Sequence, residues 1–232
     1  MRYCLFRSVL LTIFDRFLNL TVVKANDGWP RGRKMSERQY DSTIPNFLAP
    51  LVGFRSKKAA QLCARFALHS GGTIEKLKLI KLIYFTERDF LKDHFRPILF
   101  DELFSLPHGP ICSSTLNGID GSIHSDVWED FVVRNGNVVV AKKTFSREEL
   151  DEISDVELDA ADAVWKRLGH MTASQLRNYS HENCAEYTEV TNGRVPISYR
   201  EVLEAVGASE EEAEEVEREI SDLRREESLL SA

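Results

Sequence analysis

The sequence predicts a mainly α (α+β) fold: a compact helical domain with one small antiparallel β-hairpin and a C-terminal acidic helix. Three observations predict it. Ser or Thr followed three residues later by Glu or Gln recurs at Ser146–Glu149, Ser154–Glu157, Thr172–Gln175, Ser198–Glu201 and Ser209–Glu212. In that pattern the hydroxyl and the longer side chain each satisfy an orphan backbone amide at a helix start. Apolar residues also recur at three- and four-residue spacing through several segments, the mark of a helix with one buried face. Finally, Asn135-Gly136 lies between two valine-rich runs, which suits a two-residue hairpin of type I′.

Residues 36–55 hold Pro45, Pro50 and Gly53 among mixed residues and read as a loose lead-in. From Ser56 the spacing of Ala59, Leu62, Cys63, Phe66 and Ala67 predicts a helix that Gly71-Gly72 ends. Thr73 is the expected cap of the next helix, whose stripe is Leu77, Ile80, Ile83 and Tyr84 and which runs to about Asp93, before Pro97. Pro107, Gly109 and Pro110 make residues 98–118 irregular, with Ser113 or Ser114 opening a short helix. After the hairpin over 131–140, the capping boxes set out the remaining helices, and Gly169 and Gly207 mark two helix ends. Ala213, Val216, Ile220 and Leu223 line one side of the tail; docking on its own domain is the expectation.

Charge is unevenly placed. The chain carries a net −7, yet residues 1–34 carry +5 and residues 209–232 carry −7. The middle is mildly acidic, so no basic surface for nucleic acid is implied. Four scattered cysteines do not make a disulfide scaffold, and a reducing, cytoplasmic setting is the simpler reading. Leu5 to Val23 is apolar-rich but interrupted by Arg7, Asp15, Arg16 and Asn19, which argues against a membrane span and a signal peptide. The expected organisation is an extension over 1–55, a domain over 56–206 and an acidic amphipathic helix over 207–232. Within the extension, Met35 after the basic run Arg31-Gly32-Arg33-Lys34 is the expected start of the working protein.

Three blocks then resemble one family in order and spacing. Lys78-Leu-Ile-Lys81-Leu-Ile-Tyr84-Phe85-Thr-Glu87-Arg88 is the first, and Arg96-Pro97-Ile98 with Leu106-Pro107-His108-Gly109-Pro110 is the second. The third runs from Ile153-Ser154 through Glu157, Leu158, Trp165, Thr172 and Leu176 to Ser180-His181-Glu182. Together they resemble the Panacea, or SocA-like, domain of bacterial and phage toxin–antitoxin loci. The resemblance covers about 56–206. It departs at His108, where relatives carry Tyr, and at Cys184 and Tyr187, which stand where relatives carry Pro and Trp. It implies a non-enzymatic antitoxin that needs no cofactor and neutralises a protein toxin encoded nearby. An adaptor that delivers its partner to a cellular protease is the alternative. The expected contact residues are His108, Gly109, Pro110, Asn135, Gly136, His181, Glu182 and Glu186.

Chemistry offers two rival readings of the same residues. His181 and Cys184 have the spacing of a Cys–His nucleophile pair, but no orienting third group is identifiable. His108, Cys112, His181 and Cys184 are four residues of the types that hold zinc, drawn from two separate segments. A packed histidine and buried cysteines account for both patterns more simply, so no metal or catalytic residue is assigned.

Overall fold

The computed structural model describes residues 53–230; the expectations for the lead-in, the basic N-terminal stretch and Met35 lie outside them, as do the last two residues. In order, the elements are α1 (Ser56–His69), β1 (Thr73–Glu75), α2 (Lys76–His94), β2 (Leu103–Leu106), β3 (Gly109–Cys112), α3 (Ser113–Ile119), α4 (Ser125–Glu129), β4 (Val132–Asn135) and β5 (Val138–Ala141). They continue with α5 (Asp155–Leu168), α6 (Ala173–Asn183), β6 (Val195–Ile197), α7 (Tyr199–Ala205) and α8 (Glu210–Leu230). The mainly α, α+β class expected from the sequence is the one observed.

The centre is α2. The sequence gives it one apolar stripe, but Leu79 to Glu87 is buried without a break, on every side of the helix. Leu77, expected in the stripe, is only half-buried. Helices α1, α5 and α6, both sheets and α7 pack around it. A helix buried all round must find partners for its polar groups. Thr86 returns its hydroxyl to Leu82 O in the preceding turn, at 2.8 Å. Glu87 accepts from the amides of Ile98 (3.0 Å) and Leu99 (3.1 Å), which fixes the chain just after the helix.

Two small antiparallel sheets flank the helices, ordered β1–β5–β4 and β3–β2–β6. Thr73 does not cap α2. It pairs with Val140 in β1, whose central Ile74 is buried, and the amide of Lys76 donates instead to Asn137 O in the hairpin turn (2.8 Å). The hairpin itself is shifted by one residue from the expected turn. Asn135 pairs with Val138, so Gly136 and Asn137 are the turn residues, and only Gly136 has a positive φ (60°). That is the type II′ pattern, with glycine first, rather than type I′.

The second sheet is the main departure from the sequence reading. The segment 98–118 contains the hairpin β2–β3, with Pro107 and His108 in its turn. Pro110 lies in β3 and Pro196 in β6, the two outer strands, where a missing amide donor is tolerated. Asp101, buried just before β2, accepts from the amides of Ser114 (2.7 Å) and Thr115 (2.8 Å) and from the Thr115 hydroxyl (2.7 Å), and so caps α3.

Complete capping boxes open α5, α6 and α7, and Ser209 with Glu212 forms the same pair before α8. Ser146–Glu149 shapes a turn and opens no helix; Glu149 accepts from the Ser146 amide and also pairs with Lys143. The tail docks on its own domain. Ala213, Val216 and Ile220 are buried, Leu223 is exposed, and Arg224 donates to Phe100 O (2.9 Å) and Asp101 O (3.2 Å).

Two predictions follow from this packing. A Cβ placed on Gly118 would lie 2.1 Å from the buried ring of Trp128. Gly118→Ala is therefore expected to lower stability by about 2 kcal/mol in urea unfolding, through overpacking against a rigid ring. Burial pushes the Glu87 carboxyl up to about 8, against the opposing pull of the Leu99 and Ile98 amides. The folded protein thus holds a proton there that the unfolded chain has released, and this contribution fades as pH rises towards 8. Urea midpoints of the wild type should fall between about pH 5 and pH 8, and fall less steeply in Glu87→Gln.

Candidate functional site

The face that merits a functional reading is built where three pieces meet: the β2–β3 turn, the C-terminal half of α6, and the strap after it, residues 184–188. Ser180 is buried and returns its hydroxyl to Arg177 O (2.7 Å), within the helix. Gly109 has φ +91°, and a Cβ there would sit 2.5 Å from Ser180 Oγ, 2.8 Å from Lys81 Nζ and 3.1 Å from His181 Cδ2. Both its conformation and its surroundings demand glycine. Lys81 of α2 lies beneath the turn, fully buried, and donates to Pro110 O at 2.7 Å. Burial pushes its ammonium down to about 7.

The strap is tied down by hydrogen bonds. Tyr187 donates to Leu106 O (3.1 Å), the Thr188 amide donates to Ser105 Oγ (3.1 Å), and the rings of Tyr187 and His181 lie 4.4 Å apart. Glu186 is buried and accepts from Tyr84 OH (2.8 Å) and from Arg88 Nε (2.7 Å) of α2. Its carboxylate therefore braces the strap from within. Burial, and then the Glu186 charge, hold the Tyr84 hydroxyl far above the usual phenol range.

The expected contact residues thus fall into two places. His108 is exposed beside buried Gly109 and Pro110; half-buried His181 lies against Gly109, and exposed Glu182 follows it on α6. Asn135 and Gly136 are exposed at the tip of the other sheet, whose strands β4 and β5 pack on α1. A cleft of about 410 Å³ lies beside that hairpin, lined by Gly118, Trp128, Val132, Arg134 and Gly136 among others.

The rival chemistries find no support in this geometry. Cys63, Cys112 and Cys184 are free and buried. Burial first, and then Glu186, push the Cys184 thiol up, the reverse of what activates a nucleophile. Among the described residues His181 Nε2 has no hydrogen-bond partner, so it forms no Cys–His pair with Cys184. Among the described residues, no cluster of three or more His, Cys, Asp or Glu side chains is arranged to hold a metal ion.

Two residues of this face were not singled out as contacts by sequence reasoning. Lys81 carries a signal, being a lysine set between Leu79-Ile80 and Leu82-Ile83 where no polar face exists. Arg177 stands four residues before His181, on the same side of α6.

These features define a helical scaffold whose buried ions hold two loops and a strap against one central helix. Residues 79–188, from α2 through the strap, match the family model described as antitoxin SocA-like, Panacea domain. No curated protein and no solved structure matches the chain.

Removing one partner of the buried pair tests the brace. Arg88→Ala leaves Glu186, whose side chain is fully buried, without its cation and is expected to cost about 3 kcal/mol or more. Tyr84→Phe removes one hydrogen bond to the same carboxylate and should cost about 1.5 kcal/mol, both read by urea unfolding.

Proposed function

We propose that this protein is the antitoxin of a bacterial or phage toxin–antitoxin pair. It acts in the cytoplasm, without catalysis, by binding a protein toxin encoded nearby. The observation that carries the reading is the family match, which spans the central helix, the β2–β3 turn, the hairpin, α6 and the strap as one continuous segment. The chemistry agrees with binding rather than turnover, since the candidate nucleophile is a buried thiol raised by burial. No helix among the described residues is long and apolar enough to cross a membrane.

The toxin-facing surface in this proposal is His108 with its turn, His181 and Glu182, and the tip at Asn135-Gly136. Glu186 belongs to the internal brace and shapes that surface without facing it. Gly109 and Pro110 act the same way, by setting the turn that presents His108.

Co-expression with the adjacent gene product is the test. The expected outcome is a stable complex on affinity purification and restored growth. His108→Ala with Glu182→Arg should weaken both while leaving the thermal melt unchanged. Absence of any complex and of any growth rescue by the wild-type protein would overturn the antitoxin reading. A partner that is bound but then disappears faster would assign delivery to a protease instead.

A further inference from the structure

We propose that Lys81, Arg177 and His181 form a receptor for a carboxylate group. Resting on the antitoxin reading, the proposal also names the source: an acidic side chain of the protein partner. A Cβ on Gly109 would lie 2.8 Å from Lys81 Nζ and 3.1 Å from His181 Cδ2, and Arg177 stands one turn before His181 on α6. The Lys81 ammonium has three protons to donate, and among the described residues only Pro110 O takes one. Arg177 Nε and His181 Nε2 are buried atoms with no hydrogen-bond partner among the described residues. Among the described residues, no acidic side chain forms an ion pair with any of the three.

Their mutual repulsion is visible in the electrostatics. Burial, then the charges of Arg177 and Lys81, hold His181 below the ordinary imidazole range, and His108 adds to the effect. Glu189 opposes it, but Glu189 is exposed and among the described residues makes no ion pair with His181. Burial first, and then the charge of Arg177, push Lys81 down; the buried Cys184 and Cys112 beside it are held as neutral thiols. Desolvated cations and orphaned N–H donors are unfavourable until an acceptor arrives. A carboxylate supplies both the charge and several lone pairs, so it relieves the repulsion and the missing hydrogen bonds together.

His108 is exposed, Arg177 and His181 are half-buried on α6, and Lys81 is buried beneath the β2–β3 turn. The chain as a whole is acidic, with a net −7, and α8 is densely negative. A long polyanion such as nucleic acid would be repelled by that field, whereas a single carboxylate needs only the local donors.

The first arm of the test uses the full chain and sodium acetate, with sodium chloride at matched ionic strength as the control, and follows the His181 ring by NMR. Expected are a saturable, acetate-specific shift and a raised His181 pKa, both lost in Arg177→Gln. No saturable shift, an equal shift in Arg177→Gln, or a response to inorganic phosphate but not acetate would overturn the receptor. The second arm uses the adjacent gene product. Arg177→Glu should weaken capture about tenfold or more, and an Asp or Glu to Lys change on the partner should restore it in part. Acetate binding without capture or rescue by the wild type would leave the receptor standing and sink the antitoxin reading. Full neutralisation by a normally folded Arg177→Glu variant would do the reverse, retaining the antitoxin and removing its carboxylate anchor.

Discussion

The structure depends on one constraint: α2 is buried on all sides from Leu79 to Glu87, and the polar side chains there and at Arg88 need partners. Lys81, Tyr84, Glu87 and Arg88 cannot reach water freely, so each recruits a segment from elsewhere in the chain. Glu87 holds residues 98–99, Lys81 holds the β2–β3 turn, and Tyr84 with Arg88 hold the strap at Glu186. These segments have little regular structure to keep them in place. Their arrangement is fixed by the penalty of leaving a buried ion or hydroxyl unpaired, which is larger than the gain from any surface contact.

The face assigned to the partner follows from that constraint. Glu186 is satisfied internally, and so stabilises shape. Lys81 is satisfied only in part, and Arg177 and His181 bring further donors with no acceptor. The same helix therefore presents a closed electrostatic pair at one point and an open cluster one turn earlier. This contrast distinguishes a brace from a receptor more clearly than residue type does, since both contain a buried cation.

Features encoded locally were legible in the sequence. Four of the five capping boxes precede helices, the tail's Ala213, Val216 and Ile220 are buried as their spacing implies, and the valine-rich hairpin is present. Features that need distant partners were not. Nothing near Thr73 shows that β5 will pair with it and override a cap. Prolines in β3 and β6 disguise strands as loops because an outer strand can omit an amide donor. Ser146–Glu149 has the capping pattern yet turns the chain, because the pattern satisfies amides equally well without a helix behind it. Lys81, Arg177 and His181 stand on two elements almost a hundred residues apart, so their convergence is a property of the fold.

The outer prolines also govern how crowded copies of this protein behave. A sheet with an open edge can recruit a strand from a neighbouring chain and grow from one molecule to the next. Here both outer strands of the β3–β2–β6 sheet lack a donor where such growth would begin, at Pro110 on one side and Pro196 on the other. A sheet that the sequence hides is thereby kept three strands wide, and abundance of the protein does not by itself seed polymerisation through it.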